Sequence, residues 1–417
     1  MRRIVLAAGV FAALFAVQAK TYDVRDYGAR GDGTTKDTAA IQAAVDAAHA
    51  AGGGTVMLDV GTYLSGTIWL KSNVDFCIGM GAVVKGSPDL ADYCAKDSYP
   101  QNWASPRESE NQCGGHLFVA VEQRNIRLRG PGTIDGNGLH FATWPDGRER
   151  FHQRDYGGRP GMMLHVVECD GVRIEDLNLR NSTYWNCCLH GCEHVFVRGV
   201  SVLTPRSPHI LNGDGFTIDA CRFVTLTDCQ IVGYDDGLTI RCVTRRLKNK
   251  LRECAHVTVA NCTISSRMNA IRVGVGGGNI HDITFSNLAI HDTRTAVNFC
   301  SAWGLQGTPI RNVRLSGITV DAIDFLRMHN NGQKTPIDDV YISDVSGYVR
   351  QRARIWGTKG HPFRNIVLRN VDLNQGIEAV NVEGFRLIDC GLRRIDLTPE
   401  EIDSRNAELA AGRDILY

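Results

Sequence analysis

The sequence predicts an all-β chain wound into a right-handed parallel β-helix, closed at its N-terminal end by a capping helix. Three observations carry this reading. A strand-like pattern returns as Val172–Leu179, Val195–Val202, Val224–Ile231 and Val257–Ile264, with further copies starting at Ile283, Val313, Val340, Ile366 and Phe385 and an earlier one at Ile126. Within each copy apolar residues alternate with polar ones, and no helical period competes with that alternation. Asn, Asp and Gly separate the apolar runs and supply tight turns. One copy alone cannot bury both faces of its strands, so the copies must stack into a solenoid.

The elements follow in order. Residues 1–19 carry a basic start (Arg2, Arg3), an apolar run from Ile4 to Ala16 and a small-residue cleavage site ending at Ala19. This is the pattern of a signal peptide, and the run is shorter than the roughly 20 residues of a membrane span. The expected mature chain is therefore a single β-helix domain over 20–417, secreted or periplasmic. Asp37 to Ala51 reads as one amphipathic helix with Ile41, Ala44, Val45 and Ala48 on its apolar face, stopped by Gly52–Gly54. Segments 94–120 and 137–161 read as long loops, where solenoids build binding sites. Thr398, Pro399 and Glu401 form a capping box that opens a C-terminal helix from about 398.

Composition narrows the partners. The chain has 417 residues, 43% of them hydrophobic, enough for a large core. Lys plus Arg (46) nearly balances Asp plus Glu (45), so no global field recruits nucleic acid or an anionic membrane. Among the 14 cysteines, Cys169, Cys192, Cys221 and Cys254 each precede a strand-starting valine by three residues. That regularity is expected of small apolar side chains stacked inside a repeat, and no pair of Cys-x-x-Cys motifs suggests a metal. The sequence assigns no disulfide.

Three acids dominate the chemistry. Asp214 stands in Asn212–Phe216, and Asp235 and Asp236 stand in Tyr234–Gly237, one repeat later. On stacked coils they converge, and converging carboxylates are what acid/base cleavage of a glycosidic bond needs. The competing reading is that Asp214 and Asp236, each followed by glycine, are ordinary turn residues.

Here a resemblance becomes specific. Asn212–Cys221, followed by Val224–Ile231 and Asp235–Asp236, resembles glycoside hydrolase family 28, the polygalacturonase family, whose fold is the pectin-lyase-like solenoid. The stretches Asp26–Thr34, Asp37–Thr38, Ala40–Gln42, Ile355–Gly357 and Pro362–Ile366 share the likeness. The resemblance implies an inverting hydrolase with no metal or other cofactor. By position Asp235 would be the general acid, with Asp214 and Asp236 activating water. Two departures stand out. Asn269 occupies the place of the family's histidine, and Asn298 and Cys300 replace its Arg-x-Lys pair for the substrate carboxylate. Arg241 and Arg272 are the cations near enough to compensate, since a guanidinium can grip a carboxylate with two parallel bonds. Asn212, Arg241, Asn269 and Arg272 are accordingly the expected substrate-binding residues. The basic stretch Arg245–Arg252 is an insertion beside the acids that either grips an acidic glycan or is a solvated loop.

The leading expectation is an exported inverting glycosidase, a monomer, acting on pectin-related or similar acidic polysaccharide fragments, with no nucleic-acid partner and no membrane span. A polysaccharide lyase or epimerase on the same fold, or a non-catalytic carbohydrate-binding β-helix, are the alternatives, because fold does not fix function.

Overall fold

The computed structural model describes residues 20–102, 115–142, 158–204, 212–301 and 307–410. The signal-peptide expectation over 1–19 lies outside the described residues, as do the central parts of both long-loop segments.

The repeating valines stack in register. Ile126 pairs with Val172, Val172 with Val195, Val195 with Val224 and Val224 with Val257. The column continues through Ile283, Val313, Val340 and Ile366, always between parallel strands. Every one of these side chains is buried. Each coil contributes strands to one continuous parallel sheet wound on itself, the right-handed β-helix the repeat predicted. Burial of each such side chain stabilises the stack by about 1.5–3 kcal/mol. Because every coil leans on the next, the core runs the length of the solenoid.

The turns explain the polar residues between the runs. Asp176, Asp228, Asn261, Asn287, Asp344 and Asn370 all take positive φ near 55°, and Gly199 and Gly317 take the same conformation at equivalent places. Asx side chains tolerate that left-handed conformation and bond to the coil before them. Asn261 Nδ2 donates to Asp228 Oδ1 at 3.1 Å, and Asn370 Nδ2 to Asp344 Oδ1 at 2.7 Å.

The ends are covered. The N-terminal helix spans Thr38–Ala50 and buries Ile41, Ala44, Val45 and Ala48 against the first coils. Asp37 does not cap it through its side chain; it accepts from the backbone N–H groups of Arg30 and Gly31 at 2.8 and 2.9 Å, tying the entry loop to the helix. At the other end a helix spans Pro399–Ala410, preceded by Thr398, whose backbone N–H donates to Glu401 at 2.8 Å. Leu409 packs there on Trp356 and Val380. Two early coils, through Gly54–Leu58 and Val74–Ile78, extend the stack below Ile126, where the sequence pattern was too short to be read as a repeat.

Of the 13 described cysteines, 11 are buried. Cys169, Cys192, Cys221 and Cys254 are buried in the core. The Cys192 backbone N–H donates to Cys221 Sγ at 3.3 Å, so the thiols also accept from neighbouring turns. Among the described residues, no helix is long and apolar enough to cross a membrane.

Candidate active site

Strand Phe216–Asp219 pairs in parallel with Asp236–Cys242, matching Phe216 to Leu238. That register sets Asp214 opposite Asp236 on adjacent coils, and the Gly215 N–H donates to the Asp236 carbonyl at 2.9 Å. Asp214 and Asp236 are buried, while Asp235 is half-exposed. Three carboxyl groups thus meet at one step between coils, and the half-exposed one faces outward.

The next coil supplies the partners. Asp236 pairs in register with Asn269, and Thr239 with Arg272. Asn269 Nδ2 donates to Asp236 Oδ1 at 2.6 Å, and Arg272 Nη1 donates to Oδ2 at 2.5 Å. Both oxygens of Asp236 are therefore gripped from one side. One coil further on, Asn298 Nδ2 donates to Asn269 Oδ1 at 3.1 Å, so the two asparagines form an amide relay that aims the Asn269 amine at the acid. The two asparagines that replace the expected histidine and arginine act together on Asp236. Asn212, in a left-handed turn (φ 62°), lies 3.4 Å from Asp235 Oδ2 through its Nδ2.

Electrostatics separates the three acids. Burial pushes the Asp214 carboxyl well above the usual carboxylate range, helped by the Asp235 and Asp236 charges and opposed by Arg272 and Arg241. Its Oδ1 is buried without a hydrogen-bond partner among the described residues. Burial lowers the Arg272 guanidinium, but Asp236 and the other nearby acids more than reverse that and hold it above its ordinary value. The cluster therefore has a site for a retained proton at Asp214 and a fixed counter-ion on Asp236.

Arg241 is nearby but committed elsewhere. Its Nε lies 3.2 Å from Asp219 Oδ2, a pair almost completely buried, and its guanidinium sits 4.7 Å from the centre of the Trp185 ring. Trp185 in turn stacks on Tyr184, with ring centres 5.1 Å apart. The sequence did not single out Asp219; aligning it against Arg241 through the repeat register would have found it.

Of the expected residues, the structure brings Asn212, Asp214, Asp235, Asp236, Asn269 and Arg272 together. It holds Arg241 beside them through Asp219. The Arg245–Arg252 insertion turns instead to earlier coils. Lys248 Nζ pairs with Glu122 at 2.6 Å, Arg252 with Glu193, and Glu168 accepts from the backbone N–H groups of Lys248 and Asn249. His190 donates from Nε2 to the Val243 carbonyl at 2.7 Å, away from the acids.

With this geometry in place, the family model described as glycosyl hydrolases family 28 matches residues 102–390. The chain belongs to glycosyl hydrolase family 28. Among curated relatives of this family 28 chain, a probable polygalacturonase of Vitis vinifera is 23% identical over 386 residues, covering 86% of this chain and 75% of its own length. A mannuronan C5-epimerase of Azotobacter vinelandii is 54% identical over only 72 residues, 15% of this chain and 5% of the epimerase. The solved exopolygalacturonase of Thermotoga maritima shares the fold, with a TM-score of 0.68 at 17% identity, covering 90% of this chain and 92% of that one. The family 28 chain is thus a polygalacturonase-like glycoside hydrolase, and the epimerase likeness is confined to a short stretch.

Proposed function

We propose that this chain is an exported, inverting glycoside hydrolase that cleaves pectin-related acidic polysaccharide fragments. The observation that carries the proposal is the asymmetric acid cluster, one carboxyl buried with its pKa pushed up by that burial, one clamped by Arg272 and Asn269, one half-exposed. The half-exposed Asp235 is the member that a glycosidic oxygen can reach, and it donates the proton as the C–O bond to the leaving sugar breaks. Water attacks the anomeric carbon from the opposite face, and its proton passes to Asp236. Asp214 lies across the coil step from Asp236 and helps to position that water, and between turnovers the proton taken up by Asp236 passes back to Asp235, so the cluster returns to its starting state. Room for the water between acid and base is what makes the configuration invert, and carboxyl separations of roughly 6.5–9.5 Å provide it.

The curated polygalacturonase relative supports a pectic substrate, and the pattern of residues 1–19 supports export. A lyase or epimerase has weaker support, because its likeness covers so little of the chain. The direct test is Asp235→Asn assayed for reducing-end release from polygalacturonate and from neutral pectic fragments. A loss of about 100-fold or more in kcat, the range for one acid/base group, is expected. Activity within a few-fold of wild type would sink the assignment of Asp235. Release of an unsaturated product absorbing in the ultraviolet would sink hydrolysis itself.

A further inference from the structure

The row of residues that begins at Thr239 continues, coil by coil, through Arg272, Asn298, Arg327 and Arg354 to Glu378, and of these Arg272 and Arg354 are half-buried while the other four are buried. At about 4.8 Å per coil, Arg354 stands roughly 14 Å along the axis from Arg272. The row lies on the face that carries the acids, because Asp236, Asn269 and Asp324 occupy the corner beside it. Each arginine of the row except the last has an acid. Arg272 is on Asp236, and Arg327 donates from Nε and Nη2 to Asp324 at 2.9 and 2.6 Å.

Arg354 has none among the described residues. Its register partner Glu378 is buried, and both Glu378 oxygens are taken, Oε1 by Arg352 at 2.8 Å and Oε2 by Arg405 at 3.4 Å. Arg354 is half-buried, next to Arg327, and lies 5.7 Å over the Trp356 ring. Burial, followed by the Arg327 charge, pulls its guanidinium below the ordinary arginine value. A half-buried cation beside a second cation is unfavourable unless an anion completes it. Stacking on an aromatic face leaves the donor fork free to accept a planar anion edge-on.

We propose that Arg354 is a distal subsite for the carboxylate of an acidic sugar residue, several units along the glycan from the bond that is cut. This rests on the hydrolase reading above. It also accounts for the missing cations at Asn298 and Cys300, since recognition of charge moves two coils down the row. The ligand is a uronate within a chain, so the site discriminates a long acidic glycan from its methyl ester and from a free inorganic anion.

The test is calorimetric titration in an Asp235→Asn background, so that binding is read without turnover. The probes are hexagalacturonate, its fully methyl-esterified form and inorganic sulfate. Arg354→Gln is expected to weaken hexagalacturonate binding about tenfold, while the ester changes less than twofold, in line with loss of one charge-assisted pair. Arg354→Lys keeps the charge but not the fork, and is expected to lose about threefold on the acid form alone. It also decides the matter should the glutamine variant not fold. Arg350→Gln, an exposed arginine paired with Asp321, controls for net charge and is expected to bind like the parent.

The proposal is overturned if the Arg354 variants bind hexagalacturonate like the parent, or lose acid and ester equally. It is also overturned if the parent binds no acidic glycan, or if sulfate competes as tightly as the hexamer. A wild-type chain that hydrolyses nothing refutes the hydrolase reading while this titration still gives its answer. A chain that hydrolyses normally, with Arg354 indifferent to charge, refutes the subsite alone.

Discussion

Arg272 donates from Nη1 to Oδ2 of Asp236 at 2.5 Å, across the step between two coils. Because Asn269 holds the other oxygen at 2.6 Å, the carboxylate is fixed in both rotation and charge. A residue expected to bind substrate thus acts first on an acid of the cluster.

If Arg272 positions Asp236, its loss falls on the chemical step. Arg272→Met is expected to lower kcat about 100-fold, the order of effect of a misplaced reacting group, with KM changed far less. Arg272→Lys should recover part of the loss, because it restores charge without the fork. Steady-state kinetics on polygalacturonate checks this; a rise in KM with kcat intact would make Arg272 a substrate ligand instead.

Asp214 ties stability to pH. Its folded-state pKa is raised by burial and by the two neighbouring acids, so the native state holds a proton that the unfolded chain releases. The corresponding stability is fully present below the unfolded aspartate value of about 3.9 and is lost as pH rises through the folded value. Asp214→Asn removes that loss. The variant is expected to be inactive yet to melt higher than wild type at pH 7, with the two curves converging near pH 4. Thermal melts across that range test it, and a variant less stable than wild type at pH 7 would contradict it.

The buried Asp219–Arg241 pair predicts a large structural cost. Asp219→Ala removes the buried acid paired with Arg241 beneath Trp185 and should destabilise the fold by about 3–5 kcal/mol. Replacing both residues together, as Asp219→Leu with Arg241→Met, should cost much less. Urea denaturation of the single and double variants gives the comparison; equal losses would show that the pair is not coupled.

The repeat was legible because αL turns and inward valines recur with little variation. The positions from Val172 to Ile366 fall in one column of the solenoid, and the N-terminal helix runs over Thr38–Ala50, one residue inside each expected end. The coils at Gly54–Leu58 and Val74–Ile78 were missed because their runs are short and broken by glycine and polar turns. At the site, sequence spacing alone brought Asp214 to Asp236, since one repeat step is one coil. What it could not supply was side-chain commitment. Whether Arg272 reaches an acid or a substrate, and whether Arg241 is held by Asp219, depends on register two and three positions along a strand. The unpaired state of Arg354 was equally invisible, because it follows from Glu378 being occupied by Arg352 and Arg405, the latter on a helix far along the chain.

The central claim is single-displacement hydrolysis by the Asp214, Asp235 and Asp236 cluster, and the anomeric configuration of the first product tests it most directly. Proton NMR of an oligogalacturonate digest, recorded before mutarotation, is predicted to show the new reducing end with inverted, β configuration. A new reducing end that first appears as the α anomer would contradict the account.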